Sequence, residues 1–205
     1  MKKSILFLFV SFLLSTSYAQ DVALGNEAPL LSDDVMENAP SQEGWGLNIS
    51  ALQWNEKLKV QQGASGISDT ANYNGVVLTL QKEVTYGHWG WSFGAFFGTG
   101  RANGGGDNSL SYSEGKVTFT VLGVSPRAFY QFSGRINAGV SALAFVKNAD
   151  WPTASGQTVD SGQNNNLMPM VDLNIRLFQH WDLYQGLGPL SEEGTLWKIG
   201  ATYRF

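Results

Sequence analysis

The sequence contains no cysteine, and charged residues account for only 15% of its 205 positions. The absence of thiols excludes disulfide bonds, thiolate metal sites and a lipidated N-terminal cysteine. Basic residues are also scarce, since 13 Lys and Arg stand against 17 Asp and Glu for a formal net charge of −4. This acidic balance argues against a nucleic-acid partner.

Long apolar runs are also missing. After residue 20, no segment reaches the roughly 18 consecutive apolar residues that a transmembrane helix needs. Such a chain can cross a membrane only as a closed β-barrel, because lipid cannot satisfy the hydrogen bonds of an unpaired strand. The chain is rich in glycine, at 24 positions, and the glycines stand between aromatic and β-branched residues in a way that favours β-sheet.

The first 19 residues are predicted to be a signal peptide. Two lysines precede an apolar run from Ile5 to Leu14, which is too short to span a membrane. Small residues at Ser17 and Ala19 predict cleavage before Gln20. Loss of the two lysines takes the formal net charge from −4 to −6. The alternative is an uncleaved N-terminal anchor.

Residues 20–43 carry six acidic side chains and no Lys or Arg, and Pro29 and Pro40 interrupt them. No apolar period is sustained, so we interpret this segment as a flexible acidic tail. Docking to a periplasmic chaperone and plugging of a barrel lumen are the alternatives for it.

From Trp45 onward the dominant period is two. In the segment 88–100, Trp89, Trp91, Phe93, Ala95 and Phe97 occupy the odd positions, and the even positions are mostly small or polar. A pleated strand between lipid and a crowded lumen has this pattern. Together with this segment, the same period predicts eight strands: 45–51, about 73–83, 88–100, about 116–130, 136–142, 167–177, 181–187 and 195–205.

The connections between these strands alternate in length. Long polar connections at 53–72, 101–115 and 148–166 alternate with short ones near 82–87, 131–134 and 179–180. Bacterial outer-membrane barrels have short periplasmic turns and longer external loops. We therefore predict an all-β fold from 44 to 205, an eight-stranded antiparallel up-and-down transmembrane β-barrel with both termini in the periplasm.

Aromatic residues cluster where the predicted strands meet the two interfaces, as amphipathic rings favour both headgroup regions. The predicted girdle near the short turns contains Tyr86, Trp89, Tyr130, Phe132, Phe178, Trp181, Tyr203 and Phe205. The predicted girdle near the long loops contains Tyr73, Phe97, Tyr112 and Trp197.

Charged residues fall on the strand faces opposite the apolar ones. An Arg or Lys that faces lipid at mid-depth costs about 2–4 kcal/mol, so these side chains must point into the barrel or lie near an interface. Inside a narrow barrel, acids and bases pair, because an unpaired buried charge is much less stable than a paired one. We expect a structural network inside the barrel, formed among Glu83, Arg127, Asp172, Arg176 and Lys198.

Several of these features together resemble a known family. The leader, the eight amphipathic strands and the ending Tyr203-Arg204-Phe205 resemble the small outer-membrane β-barrel proteins of the OmpA/OmpX/OmpW type. The closing residues, with Tyr203 and Phe205 at alternate places, are similar to the signal that the barrel-assembly machinery recognises. The resemblance implies a Gram-negative cell outer membrane as the location, and it covers membrane-stabilising proteins, adhesins and small channels.

Residues that carry chemistry are few. The two histidines, His88 and His180, both fall beside short turns, and no metal or cofactor motif accompanies them. We therefore predict no enzymatic activity, no metal and no cofactor. Some barrels of this size modify lipid A, but their His and Ser lie together on the outer-leaflet side, and neither histidine here matches that pattern.

Two roles remain open for such a barrel. The first is a structural or surface-interaction role through the exposed loops, where Trp151 is a candidate contact with an unidentified extracellular ligand. The alternative for Trp151 is that its ring folds back on the barrel rim. The second is a narrow, porin-like conduit for small or hydrophobic solutes, since Phe96, Leu143 and Phe145 on inward faces suit either a plug or an apolar pocket. The expected partners are outer-membrane lipid, lipopolysaccharide and the barrel-assembly machinery, with the protein as a monomer.

Overall fold

The computed structural model describes residues 41–62, 65–104, 117–149, 151, 157–160, 163–189 and 196–205. The predicted signal peptide and all but the last three residues of the predicted acidic tail lie outside these ranges. No helix in the described part of the chain is long and apolar enough to cross a membrane.

The described residues form nine β-strands, which alternate with turns and loops along the chain. They are β1 (Gln42–Gln62), β2 (Ser65–Tyr86), β3 (Trp89–Gly104), β4 (Val117–Gln131), β5 (Ile136–Ala149), β6 (Gln157–Asp160), β7 (Gln163–Phe178), β8 (Trp181–Leu187) and β9 (Leu196–Arg204).

Eight of these strands close into a ring. Each strand pairs antiparallel with the next in the order β2-β3-β4-β5-β7-β8-β9-β1, and β1 also pairs with β2. The closing seam joins β1 to β9 from Gly46↔Arg204 to Trp54↔Leu196. The short β6 lies outside the ring and pairs with the end of β1. The predicted eight-stranded antiparallel barrel is thus confirmed.

The two ends of the barrel differ. At one end, called the turn end here, β2 joins β3 through residues 87–88, β4 joins β5 through 132–135 and β7 joins β8 through 179–180. Gly87 has a φ of 55°, the left-handed conformation that glycine adopts without steric cost. The opposite end is called the loop end.

The prediction of a long loop at 53–72 is wrong. β1 and β2 pair without a break from Gln42↔Thr85 to Gln62↔Ser65. They form one long hairpin that extends well past the exposed apolar residues of the outer wall. The segment is polar because it extends beyond the lipid, where both faces of the hairpin can carry polar residues. Polarity was therefore misleading as a sign of irregular structure.

The distribution of apolar and charged side chains in the barrel is the reverse of that in a water-soluble protein. Large apolar side chains are exposed on the outer wall, among them Leu122 at 65% and Val140 at 61% exposed, whereas Arg127, Asp172 and Lys198 are buried inside. On β3 the outward apolar residues run from Trp89 to Phe97, which fits the roughly 9–11 tilted residues that cross a bilayer. This is the distribution of a transmembrane β-barrel.

The aromatic residues follow the predicted girdles in part. At the turn end, exposed rings surround the barrel, and they include Tyr86, Trp89, Phe132, Phe178, Trp181, Tyr203 and Phe205. At the loop end, Phe97 and Trp197 are exposed. The placement of Tyr73 in the loop-end girdle is wrong, because this ring points inward and is fully buried, and the outward neighbour is Asn74. Tyr112 lies outside the described residues.

The inward face of β3 is narrow because it consists largely of glycine. A Cβ built on Gly98 would lie 2.8 Å from Cγ2 of Val77 and 2.9 Å from Cγ2 of Val121, both on neighbouring strands. A Cβ on Gly94 would lie 2.7 Å from Cγ2 of Thr79. At the glycine positions the lumen therefore has no room for a side chain, and Phe96 is the large inward side chain of this strand beside the small Ser92 and Ala102.

Enlarging Gly98 should destabilise the barrel, because the inserted methyl groups displace packed neighbours. We expect Gly98→Val to lower the free energy of unfolding by about 1–3 kcal/mol. The outward change Ala95→Val on the same strand should alter it by less than about 0.5 kcal/mol. Urea titration of both variants in lipid vesicles measures the difference, and equal losses would mean that the inner face of β3 is not tightly packed.

Candidate functional site

The lumen is the candidate site, since the barrel brings there the buried charged side chains that the sequence scatters over seven strands. Its turn-end part holds what we call the charge layer, formed by Glu83, Arg127, Asp172, Arg176, Asp182, Lys198 and Arg204. Its loop-end part holds the aromatic stopper, formed by Trp54, Tyr73, Phe119, Phe145 and Trp151.

One half of the charge layer is built around Arg127. Its Nε donates to Oδ1 of Asp172 at 2.7 Å, and its Nη2 donates to Oδ1 of Asn137 at 2.6 Å. Oγ of Ser141 donates to the other carboxylate oxygen of Asp172 at 2.7 Å. These residues come from β4, β5 and β7, which are neighbours in the ring, so the inward faces of three strands meet. Their mutual bonds satisfy charges that water cannot reach.

The other half is built around Arg204, next to the end of the chain. Its Nη1 lies 2.6 Å from Oε1 of Glu83 on β2, and its Nε lies 2.5 Å from Oδ2 of Asp182 on β8. Asp182 also accepts a hydrogen bond from Asn174 at 2.9 Å and lies 3.5 Å from Nε of Arg176. The guanidinium of Arg204 thus connects both sides of the seam at which the sheet closes.

Lys198 is the exception among the five predicted network residues. Its side chain is buried, and its Nζ lies 5.0 Å from the centroid of the Tyr184 ring, an arrangement suited to a cation–π contact. It takes part in no ion pair within the described residues. Its pairing partner on β1 is Leu52, so it lies at the border between the charge layer and the apolar part of the lumen.

A polar cavity of about 210 Å³ lies at the turn end beneath the charge layer. Three arginines and three acidic residues line it, so that its formal charges balance: Arg135, Arg176, Arg204, Glu43, Glu83 and Asp182. Oδ1 of Asn174 and Oδ1 of Asp182 are buried there without a hydrogen-bond partner. The cavity is therefore suited to water or small polar solutes rather than to an apolar ligand.

The aromatic stopper fills the loop-end part of the lumen. The rings of Trp54 and Tyr73 stack with centroids 4.5 Å apart and an angle of 4° between their planes. Phe119 meets both rings edge-on, at 5.0 Å and 5.3 Å, and Phe145 meets Trp54 at 5.7 Å. Phe96, one of the predicted inward residues, packs against Phe145 at 6.2 Å. The predicted inward aromatics therefore form a packed plug.

A buried ion pair lies within the stopper. Lys147 is fully buried and forms an ion pair with Glu56, and its Nζ also donates to the hydroxyl of Tyr73 at 3.0 Å. The Glu56 carboxylate accepts further hydrogen bonds from Tyr73 at 3.0 Å and from Nε1 of Trp54 at 3.3 Å. Charge and aromatic packing thus hold the same four side chains together.

Of the two alternatives for Trp151, an exposed contact or a ring folded back on the barrel, the structure has the second. Trp151 is 8% exposed, and its ring meets Tyr73 edge-on with centroids 6.3 Å apart. The ring is thus a buried member of the stopper, and the exposed contact is corrected accordingly. A polar surrounding sequence predicts exposure, but a large apolar ring gains more by covering an apolar neighbour.

The predicted network left out several residues of the lumen. Alternation places Arg204 on an inward face, but it lies in the terminal motif and was not included in the network, and Asp182 lies on the shortest barrel strand. Glu56 lies in the segment 53–72, which was predicted to be a loop. Lys147 directly follows an apolar run in β5, so its inward position was not recognised. A stricter count of alternation along β5, in which Phe145, Lys147 and Ala149 share a face, was the available signal for Lys147.

The two histidines lie at the turn end. Nδ1 of His88 is 2.9 Å from the carbonyl oxygen of Gln131, and its ring stacks on Tyr130. Nδ1 of His180 is 3.0 Å from the carbonyl oxygen of Arg204. Within the described ranges, no cluster of three His, Cys, Asp or Glu side chains could hold a metal ion.

Breaking the Arg127–Asp172 pair should destabilise the barrel strongly, because the remaining carboxylate would be buried without its counter-charge. We expect Arg127→Gln to lower the free energy of unfolding by about 3–5 kcal/mol. Lys82→Gln is the matched control, since Lys82 pairs with Glu43 at 2.8 Å on the exposed outer wall and should contribute about 1 kcal/mol or less. Urea titration in vesicles compares the two, and similar losses would contradict the structural role of the charge layer.

No protein-family model matches the chain, and no curated protein sequence matches it either. Among solved structures it is similar to Ail, the attachment invasion locus protein of Yersinia pestis, solved with the heparin analogue sucrose octasulfate (15% identity, 78% of this chain and 99% of that chain, TM-score 0.44). It is also similar to neisserial surface protein A (9%, 81% and 98%, TM-score 0.45) and to the outer membrane protein OprG of Pseudomonas aeruginosa (11%, 79% and 96%, TM-score 0.42). The likeness is distant, and the architecture of this chain rests on its own strand pairing and burial.

Proposed function

We propose that the protein is an integral outer-membrane β-barrel with a structural or surface-interaction role and a closed lumen. The observation that carries this proposal is the filled interior. The aromatic stopper occupies the loop-end part of the lumen, and the charge layer spans the part below it. A barrel of eight strands is just wide enough to be filled in this way.

The proposed orientation has the turn end in the periplasm and the loop end at the cell surface. Three short turns lie at the turn end, whereas at the loop end three of the four connections are longer and the β1–β2 hairpin extends beyond the apolar wall; bacterial outer-membrane barrels have their short turns on the periplasmic side. β1 begins and β9 ends at the turn end, where the backbone N–H of Phe205 donates a hydrogen bond to the carbonyl oxygen of Trp45 at 3.0 Å. The predicted signal peptide agrees with export.

Assembly fits the same proposal. Tyr203 and Phe205, the residues of the predicted assembly signal, point outward and are 39% and 66% exposed. An outward row of rings on the last strand is accessible to the barrel-assembly machinery before the seam with β1 closes. Closure of the sheet along the seam between β9 and β1 also supports a monomer, because the closed part of the ring offers no strand edge to a second copy.

We infer no enzymatic role. Both histidines lie at the proposed periplasmic end, and each is held by a backbone carbonyl oxygen. A general base must lie within hydrogen-bond reach of the nucleophile that it activates. The buried Ser141 bonds to Asp172, which is itself paired with Arg127, so this carboxylate serves the charge layer.

A lateral conduit for small apolar solutes is the second candidate, and one observation favours it. The ladder between β4 and β5 is interrupted between Val124↔Ala144 and Arg127↔Ser141, where Pro126 has no N–H to donate. An open apolar groove of about 550 Å³ lies on the outer wall at this place. Lining residues come from both faces of the wall, since Trp91 and Phe93 point outward and Ser141 points inward.

The closed lumen predicts an electrically silent protein. After a heat-dependent gel shift has confirmed refolding, the chain should give no steady openings in a planar bilayer. Replacing the stacked rings, as Trp54→Ala with Tyr73→Ala, should produce reproducible openings, because these two rings are the centre of the stopper and their loss leaves space that water can enter. Phe97→Ala on the outer wall is the control and should stay silent. Steady openings of the unchanged protein would refute the closed lumen.

The conduit makes a different prediction. If apolar solutes pass at the interruption, vesicles that contain the protein should take up a small hydrophobic dye faster than empty vesicles. Pro126→Val, which supplies the missing donor, should remove that excess, whereas Ala95→Val should preserve it. Uptake equal to that of empty vesicles would leave the closed structural barrel as the only candidate.

A further inference from the structure

The polar cavity at the turn end is lined by three buried polar atoms that have no hydrogen-bond partner within the described ranges. They are Oδ1 of Asn174, Oδ1 of Asp182 and Nε of Arg176, and we call them the unpartnered atoms. The side chains of Asn174 and Asp182 lie deep in the barrel, since these residues are only 5% and 1% exposed. A buried polar atom without a partner destabilises a fold, so these atoms call for a partner that the described chain does not supply.

The bonds around the unpartnered atoms are already made. Nδ2 of Asn174 donates to Oδ2 of Asp182 at 2.9 Å, and Nε of Arg204 donates to the same oxygen at 2.5 Å. The other carboxylate oxygen of Asp182 lies 3.5 Å from Nε of Arg176, which is close enough for an ion pair but long for a hydrogen bond. A ligand can therefore bond to the unpartnered atoms while the hydrogen bonds of the charge layer stay intact.

The unpartnered atoms define the chemistry of such a ligand. The carboxylate oxygen of Asp182 and the amide oxygen of Asn174 only accept hydrogen bonds, and the guanidinium of Arg176 only donates them. An ammonium group, with three N–H donors, matches the two oxygens, and a carboxylate matches the guanidinium. Because Arg176 and Asp182 are 3.5 Å apart, the two groups of the ligand have to be close neighbours in one molecule.

The charge and the size of the cavity restrict the ligand further. The three arginines and three acidic residues of its lining balance, so a ligand with a net charge would leave one charge without a counter-charge. A water molecule occupies about 30 Å³ in the liquid, so a cavity of about 210 Å³ holds on the order of seven non-hydrogen atoms. The cavity is thus suited to a small zwitterion.

We propose that the turn-end cavity binds the α-amino acid head group, in which an ammonium and a carboxylate are attached to one carbon atom. The ammonium donates to the unpartnered oxygens of Asp182 and Asn174. The carboxylate accepts from the guanidinium of Arg176, whose side chain is 37% exposed and so reaches the opening of the cavity. The head group belongs to a free small amino acid or to the end of a longer molecule that extends out of the opening.

This binding does not require passage through the barrel. The aromatic stopper fills the lumen at the opposite end, so the ligand enters and leaves at the turn end. In the proposed orientation this opening faces the periplasm. The site goes beyond the structural role proposed above, and it depends on the barrel being folded.

The test is an NMR titration of the refolded protein in non-ionic micelles with L-alanine. Alaninamide, which lacks the carboxylate, and N-acetylalanine, which lacks the ammonium, should each bind at least tenfold more weakly, because each loses a hydrogen bond between charged groups. Nε-acetyllysine carries the same head group on a longer chain. Binding of Nε-acetyllysine as strong as that of alanine would assign the end of a longer molecule, and binding of alanine alone would assign a free small amino acid.

Two variants test the assigned atoms. Arg176→Gln should weaken alanine binding about tenfold and leave alaninamide binding unchanged, so that the preference for a carboxylate disappears. A merely structural loss would weaken both ligands alike. Asn174→Ala should weaken both about fivefold, because both carry the ammonium. Arg101→Gln removes an exposed arginine at the loop end and is the matched control, which should bind as the unchanged protein does.

The outcomes separate this proposal from the proposed function. Absence of saturable alanine binding to protein with a normal heat-dependent gel shift would overturn the site and leave a cavity for water only. Equal binding of alanine and alaninamide to the unchanged protein would overturn it too, as would the same loss in Arg101→Gln as in Arg176→Gln. Loss of the gel shift in the unchanged protein would instead contradict the barrel itself, and with it both proposals.

Discussion

Closure of the sheet is the constraint on which the rest of this structure depends. Within lipid, each backbone N–H and C=O of a strand must find its partner on a neighbouring strand, so the last strand has to meet the first. β9 does so along the whole length from Leu196 to Arg204, and the backbone of Phe205 continues the seam to Trp45. Eight strands then fix the radius, and the radius fixes how much side chain the lumen can hold.

The narrow lumen explains why its contents are so specific. Glycines on β3 reduce the space from one side, and the opposite side supplies charged side chains from β7, β8 and β9. Charges in so confined a space are stable only in pairs with further hydrogen bonds. Asp172 and Asp182 are each held by an arginine and by a neutral donor, which is the arrangement that this constraint demands.

The sequence predicted the architecture well because alternation is read directly from it. On β3 and β9, every second residue is apolar and outward, and the structure follows that pattern. The predictions failed where lipid no longer imposes the alternation of apolar and polar faces. Residues 53–72 are mostly polar and were taken for a loop, although 53–62 and 65–72 are paired strand residues and Trp54 and Leu58 are buried on the inward face. For Trp151 the polar neighbours in sequence left exposure and folding back on the rim both open, and only the position of Tyr73 in space decides for burial.

Which charges pair with which could not be predicted from the sequence. Alternation assigns Glu83, Asp182 and Arg204 to the inside. In sequence, however, Glu83 is 121 residues from Arg204, and Asp182 is 22 residues from it. Their meeting depends on strand tilt and on the order of strands around the ring, and neither is encoded in a local pattern. The same holds for Glu56 and Lys147, which are 91 residues apart.

Because the lumen is filled, the surfaces that are available for function lie on the outside of the molecule. Side chains that lock one another in place cannot also rearrange for a solute without losing several kcal/mol of pairing. The outer wall and the loop end carry no such restriction, and the long β1–β2 hairpin with β6 extends the rigid scaffold beyond the lipid there. The interior thus supplies the rigidity, and the surfaces that remain for recognition are the loop end and the opening of the cavity at the turn end.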